Sequence, residues 1–237
     1  MGIIRTGFVL IALITLMSAP LHASILTGDV KPAPASVNLN TQGNTDWIHW
    51  GRSTASDVDR KSSGGSSISN FTKIGTGTNV VRLTDSPSKT SWSDGGTNAS
   101  ATDNSGGVYI NNFDGPGRGF QFTVPAGITE HTLFVYLGEF NASGTLTASL
   151  NDGSGATYSQ VLNGTANQTV QGEYTIDFQA NVPGSLMTIK WVETTDMGAA
   201  DNITLQAAAL CTPAPVPEPG MIALLAIGIP LLLRRRK

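Results

Sequence analysis

Thr132-Leu133-Phe134-Val135-Tyr136-Leu137 and, further along, Gly172-Glu173-Tyr174-Thr175-Ile176-Asp177-Phe178 decide the fold class. The second stretch alternates. Tyr174, Ile176 and Phe178 take one face while Glu173, Thr175 and Asp177 take the other, which is the pattern of a strand buried on one side. The first stretch is apolar on both faces, so its strand is central in its sheet or covered on both sides. Thr188-Ile189-Lys190-Trp191-Val192 repeats the alternation, with Ile189 and Trp191 sharing a face.

Outward from these, the chain reads as a series of short extended runs. They are Ser36–Asn40, Asp46–Trp50, Ile68–Ile74, Asn79–Leu83, Thr90–Ser93, Val108–Ile110, Gly119–Val124, Thr132–Phe140, Thr145–Leu150, Tyr158–Leu162, Glu173–Ala180, Leu186–Val192 and Asn202–Gln206. Each is rich in Val, Ile, Thr or aromatic residues and is bounded by Gly, Asn, Asp or Pro, the strand signature. About ten to twelve strands in one domain predict an all-β, two-sheet antiparallel β-sandwich of the jelly-roll kind. Composition agrees. The 237 residues include 27 Gly and 12 Pro, and only 13% are charged, roughly half the usual share. That excludes a coiled coil, a long helical bundle and a charge-driven disordered tail.

The two ends read differently from the middle. Arg5 precedes an apolar run from Phe8 to Met17, and Ser18-Ala19-Pro20-Leu21-His22-Ala23 follows. This is the pattern of a secretory signal peptide, residues 1–23, cleaved after Ala23. The domain spans 24–212, and residues 213–220 form a proline-rich stalk. Met221 to Leu233 then carries no charge, and Arg234-Arg235-Arg236-Lys237 closes the chain. Thirteen residues rise only about 20 Å as a helix against about 30 Å of hydrocarbon, but the terminal cations can snorkel to the inner headgroups. A short C-terminal transmembrane helix over 221–233 with a basic cytoplasmic tail over 234–237 is expected.

Val216-Pro217-Glu218-Pro219-Gly220, the apolar stretch and the Arg-rich end together resemble the PEP-CTERM sorting signal of Gram-negative bacteria. The resemblance implies export, transient anchoring in the inner membrane, and recognition of Pro217, Glu218 and Pro219 by an exosortase that releases or transfers the chain. It further implies a place at the cell surface or in an exopolysaccharide or biofilm matrix.

Setting aside Arg5, the four terminal cations and Glu218 leaves 9 basic and 16 acidic residues, a net of −7 against the formal −3 of the whole chain. An acidic domain is a poor ligand for nucleic acid, whose affinity comes from neutralising phosphates. Cys211 is the single cysteine, so no intrachain disulfide forms. It reads as a small residue at the domain edge, or as a site of intermolecular pairing or lipidation.

The domain also resembles a jelly-roll accessory module of the carbohydrate-binding type found in secreted bacterial proteins. The likeness lies in Val37-Asn38-Leu39, Asp46-Trp47-Ile48-His49-Trp50-Gly51, Arg60-Lys61, Ile68-Ser69-Asn70-Phe71, Ser91-Trp92-Ser93-Asp94-Gly95 and Gly144-Thr145-Leu146-Thr147-Ala148-Ser149-Leu150. It implies binding of extracellular polysaccharide and carries over no catalytic residue.

Sugars bind through aromatic rings stacked on their C–H faces, with carboxylates and amides on the hydroxyls. The candidate ligand-binding residues are therefore Asp46, Trp47, His49, Arg60, Trp92 and Asp94. In a strand, Trp47 and His49 share one face and Ile48 and Trp50 the other, so one tryptophan can enter the core while its neighbour reaches an outer surface. The alternative is that Trp47 and Trp50 are both core residues. No cofactor is expected. Asp57 with Asp59, Asp94-Gly95-Gly96, Asn111-Asn112-Phe113-Asp114-Gly115 and Asn151-Asp152-Gly153 read as turn chemistry that leaves room for a structural calcium. No Gly-x-Ser-x-Gly elbow or His-Glu-x-x-His helix occurs, and the expectation is a non-catalytic protein. The alternatives are a structural, self-associating envelope protein that works through exposed sheet edges and a carbohydrate-active hydrolase or lyase using Glu139 and Glu193.

Overall fold

The computed structural model describes residues 22–76, 79–111 and 115–213. In chain order the elements are β1 (Ile25–Pro32), β2 (Ser36–Asn38), α1 (Leu39–Gln42), β3 (Asp46–Trp50), β4 (Val58–Arg60), β5 (Thr72–Ile74), β6 (Val80–Leu83), β7 (Lys89–Trp92) and β8 (Ala101–Asn104). They continue as β9 (Gly107–Asn111), β10 (Gly119–Ala126), β11 (His131–Phe140), β12 (Ala142–Leu150), β13 (Thr157–Leu162), β14 (Thr169–Gln179), β15 (Ser185–Asp196) and β16 (Asn202–Cys211). No helix among the described residues is long and apolar enough to cross a membrane. The signal-peptide run, the stalk beyond Pro213, the Pro217-Glu218-Pro219 motif, the apolar stretch and the basic tail lie outside the described residues.

Two sheets pack face to face. The larger has the order β1-β14-β11-β16-β3-β4, with β9 on β16 beside β3 and β6 on β9; the smaller has the order β13-β12-β15-β10-β5. The neighbours β3-β16-β11-β14 and β10-β15-β12-β13, visited by a chain that crosses repeatedly between sheets, follow the winding of a jelly roll. A third, three-stranded sheet, β2-β7-β8, departs from the two-sheet expectation, and its β2–β7 pair is parallel where antiparallel pairing was expected.

Between the two main sheets the odd residues of β11 (Leu133, Val135, Leu137) meet Phe120, Phe122 and Val124 of β10 and Ile189 and Trp191 of β15. Tyr174, Ile176 and Phe178 of β14 join them, as the alternation requires. The outer side of β11 is covered as well. Tyr136 and, partly, Phe134 lie with Ala207 and Ala209 of β16 in a separate apolar cluster beneath the third sheet.

Strand β16 runs to Cys211, well past the Gln206 at which alternation fails. A β-bulge accounts for this. Tyr136 pairs with Ala207 but Leu137 pairs with Leu205, so Gln206 is the extra residue. Inward-facing positions shift from Ile203 and Leu205 to Ala208 and Leu210, and period-two reading breaks there. The Gln206 side chain donates instead to the Ser88 carbonyl at 3.0 Å.

Gly144 of β12 faces Trp191, and a Cβ at that position would stand 2.2 Å from the indole ring. Gly144→Ala is therefore expected to cost about 1–3 kcal/mol by overpacking, read as a lowered urea midpoint. An unchanged midpoint would show that the indole is free to shift.

Two carboxyl groups also face inward, near the opposite end of the strands from Cys211. Glu139 and Glu193 are 0% and 1% exposed. Burial pushes Glu139 up to about 8, partly offset by the Gly144 N–H that its Oε2 accepts at 2.8 Å. Burial, and then the neighbouring Asp201 and Asp196, push Glu193 up to about 9. His49, on the outer side of β3, is held down to about 3 by burial. The two acids bind more protons folded than unfolded between about pH 4.5 and 9, so stability falls as pH rises through that window. Fully enclosed His49 has the opposite sign, and its contribution is lost as pH falls below about 6.5. Melting in chelator-containing buffer should peak at about pH 5 and decline toward about pH 9. Glu193→Gln should raise the melting temperature at the alkaline end and flatten the decline. Equal destabilisation at both ends would contradict this origin of the slope.

Candidate functional site

The structure gathers the six sequence-selected residues into one place, but as packing. Trp47, His49 and Asp46 are completely buried and Trp92 nearly so. The ring centroids of Trp47 and Trp92 lie 5.3 Å apart, and those of His49 and Trp92 5.1 Å. The polar groups of Asp46, Trp47, Arg60, Trp92 and Asp94 are committed to the protein itself. Trp47 Nε1 donates to Asp94 Oδ1 at 2.9 Å, Lys61 Nζ reaches Asp94 Oδ2 at 2.6 Å, and Trp92 Nε1 donates to the Asn98 carbonyl at 2.9 Å. Asp46 accepts the backbone N–H groups of Trp47 and Ile68, while Arg60 donates to the Ile68 carbonyl. Asp46 and Arg60 thus clamp the loop after β4 to the start of β3.

The face assignment on β3 holds. Trp47 packs on the outer side and Ile48 and Trp50 on the inner. The outer side is roofed by β2, β7 and β8, so the alternative holds: Trp47 and Trp50 are both core residues, in two different cores. As positioned, Trp47, His49 and Trp92 present no ring face to a sugar.

The roof covers only half of the outer face. Over the other half lies an open groove of about 570 Å³. Its floor comes from outward residues on neighbouring strands: Tyr109 on β9, Phe140 on β11, Gln171 on β14, and Asn202 and Thr204 on β16. One wall is the 83–87 segment that leads into the roof. Hydrogen bonds hold that wall in place. Gln171 accepts the Ser88 N–H at 2.7 Å and donates to Ser86 Oγ at 2.6 Å, and Ser88 Oγ donates to the Pro34 carbonyl at 2.7 Å. Gly138 keeps the floor low, since a Cβ there would meet Thr204 Oγ1 at 2.7 Å.

Chemically the groove is amide- and hydroxyl-rich with two half-exposed aromatic rings, Tyr109 and Phe140. The Arg82 guanidinium is committed to the Arg52 carbonyl at 2.6 Å, and Asp85 stands at the exposed wall. The signal that would have found this site is the polar face of alternating strands. In Val108-Tyr109-Ile110 the tyrosine faces away from the core, and Asn202 and Thr204 do likewise against Ile203 and Leu205.

The acid–base pair considered for a hydrolase does not share this groove. Glu139 borders it from within the sandwich, and Glu193 is not part of its lining. The acids considered for calcium are likewise occupied. Asp57 accepts from Ser53 and Thr54, Asp59 Oδ1 from Asn98, and Asp152 from Ser24, Ser154 and Asn181. Among the described residues no group of three or more His, Cys, Asp or Glu side chains is arranged to hold a metal ion. Asn112, Phe113 and Asp114 lie outside the described residues.

No family model matches the chain, and no curated protein does. Among solved structures, TmCBM61 in complex with β-1,4-galactotriose is similar at 14% identity and a TM-score of 0.39, over 61% of this chain and 90% of that one. A xylan-binding domain from CBM 22 is similar at 16% identity and a TM-score of 0.36, over 62% and 90%. The enzymatically active domain of bacteriophage CBA120 tailspike protein 4 is similar at 15% identity and a TM-score of 0.37, over 62% of this chain and 20% of that one.

Proposed function

We propose that this chain is an exported, non-catalytic protein of the cell surface or extracellular matrix that binds a neutral polysaccharide in the groove on the outer face of its larger sheet. The observation that carries the reading is the pairing of Tyr109 and Phe140 with Asn202, Gln171 and Thr204 in one open groove. Rings can stack on sugar C–H faces, while amides and hydroxyls meet sugar hydroxyls without a charge to satisfy. The volume lies in the range of small-molecule sites. The net charge of −7 between Ser24 and Thr212 disfavours strongly anionic glycans. In this reading the Pro217-Glu218-Pro219 region directs processing by an exosortase after transient membrane anchoring.

Glycan-array screening of the protein, followed by titration calorimetry, tests the groove. Tyr109→Ala should weaken binding about tenfold or more, and Asn202→Ala should weaken it measurably. Trp47→Phe should lower the melting temperature yet leave the affinity of the folded fraction unchanged. The reverse pattern would move the site to the Trp47 cluster and overturn the groove assignment. Intact mass of the native protein, with and without an exosortase, tests the sorting reading. Loss of the tail near Pro217–Pro219 only when the exosortase is present is the expected result, and an uncut tail in both cases would overturn it.

A further inference from the structure

We infer that the end of the sandwich carrying Ile128, Val182 and Leu186 is a lipid-facing surface that rests on the bilayer while the chain is anchored, with the groove turned away from the membrane. The inference rests on the proposed membrane anchoring through Met221–Leu233.

The first support is where the chain leaves the domain. β16 ends at Cys211, paired with Thr132 at the start of β11, and β1 begins at Ile25, paired with Gln179 at the end of β14. Both ends of the domain therefore emerge at the same end of the sandwich. Residues 213–220 separate that end from the apolar stretch, and eight residues reach at most about 28 Å even when fully extended. The anchored domain is held close to the headgroups with this end nearest to them.

The second support is what that end displays. Among the described residues the large exposed hydrophobics are Val81, Ile128, Val161, Val182 and Leu186. Three of these five belong to this end. Ile128 lies in the β10–β11 connection, Val182 in the β14–β15 connection, and Leu186 sits opposite Pro125 in the register of β15 and β10. Pro125 and Pro183 are exposed beside them. Apolar side chains on loop tips and a strand end are suited to shallow burial at the headgroup–acyl boundary.

The charges at this end fit a tethered contact. Asp152 is ringed by donors from Ser24, Ser154 and Asn181, and Asp177 accepts from Thr132 at 2.6 Å. Glu130 is exposed. With no exposed basic cluster there among the described residues to attract anionic lipid, the contact is weak by itself and depends on the anchor. The groove residues Phe140, Thr169 and Asn202 lie at the far ends of β11, β14 and β16. Nine steps along β16 place them about 30 Å farther from the bilayer.

Depth-dependent quenching by brominated lipid tests this on the signal-cleaved chain from Ser24 to Lys237 in phosphatidylcholine vesicles, with Cys211→Ser as background. A fluorophore is attached in turn through Val182→Cys, Thr169→Cys and Ile227→Cys. The expected result is strong quenching at position 227, intermediate quenching at 182 and none at 169. Quenching at 227 with none at 182, or with equal quenching at 182 and 169, overturns the lipid-facing surface and leaves the anchor intact. No quenching at 227 overturns the anchor and this inference with it. In a second variant, Val182→Glu with Leu186→Glu should at least halve quenching of a probe attached through Ile128→Cys while leaving that at 227 unchanged. Unchanged quenching at 128 would also count against the proposal.

Discussion

The burial of one half of an outer sheet face determines most of this molecule. Along β11 and β16 the outward residues change character, from Phe134, Tyr136, Ala207 and Ala209 at one end to Gly138, Phe140, Thr204 and Asn202 at the other. The apolar half needs a cover, and β2, β7 and β8 supply it as a short third sheet carrying Val37 and Trp92. The polar half needs none. The groove is the part of the sheet that the roof does not reach, and its wall is the chain on its way into the roof.

How much of this was legible follows from the period of each segment. The continuous apolar run of β11 was readable almost to its ends, and so were the alternating middles of β14 and β15, but not the first four residues of β14 or the last four of β15. Strands β4 and β8 were missed because Val58–Arg60 and Ala101–Asn104 each hold one apolar residue, and β1 because Gly28 interrupts the Leu26 and Val30 that it packs on the core. Leu39 and Asn40 were read as the tail of a strand, yet Asn38 caps a turn of helix over Leu39–Gln42 by accepting the Asn40 N–H.

The site was less legible than the fold for a physical reason. Trp47, His49 and Trp92 were conspicuous by residue type, and a tryptophan on the outward face of a strand suggests an exposed ring. Whether an outward face is exposed depends on a sheet assembled from residues far along the chain, and no local pattern reports it. Tyr109 and Asn202 were inconspicuous because a single tyrosine or asparagine on a polar strand face is ordinary. Their meaning comes from adjacency across β9 and β16.

The pairing of β1 with β14 and of β3 with β16 has a consequence for how the chain acquires its shape. A polypeptide that emerges N-terminus first presents Ile25–Pro32 long before β14 exists, and the β3–β4 pair long before β16 does. β1 waits unpaired, and β3 waits with only β4 beside it, until the last third of the domain has appeared. Loop closure over such spans is slow. The long strands β10 to β15 are contiguous in sequence and can associate with one another earlier. β14 gives β1 its template, and only when β16, the final strand, arrives beside β11 does the β3–β4 pair gain one. Docking of the β3–β4 pair and of β9 is therefore gated by Asn202–Cys211, and truncation there would leave both without their place in the larger sheet.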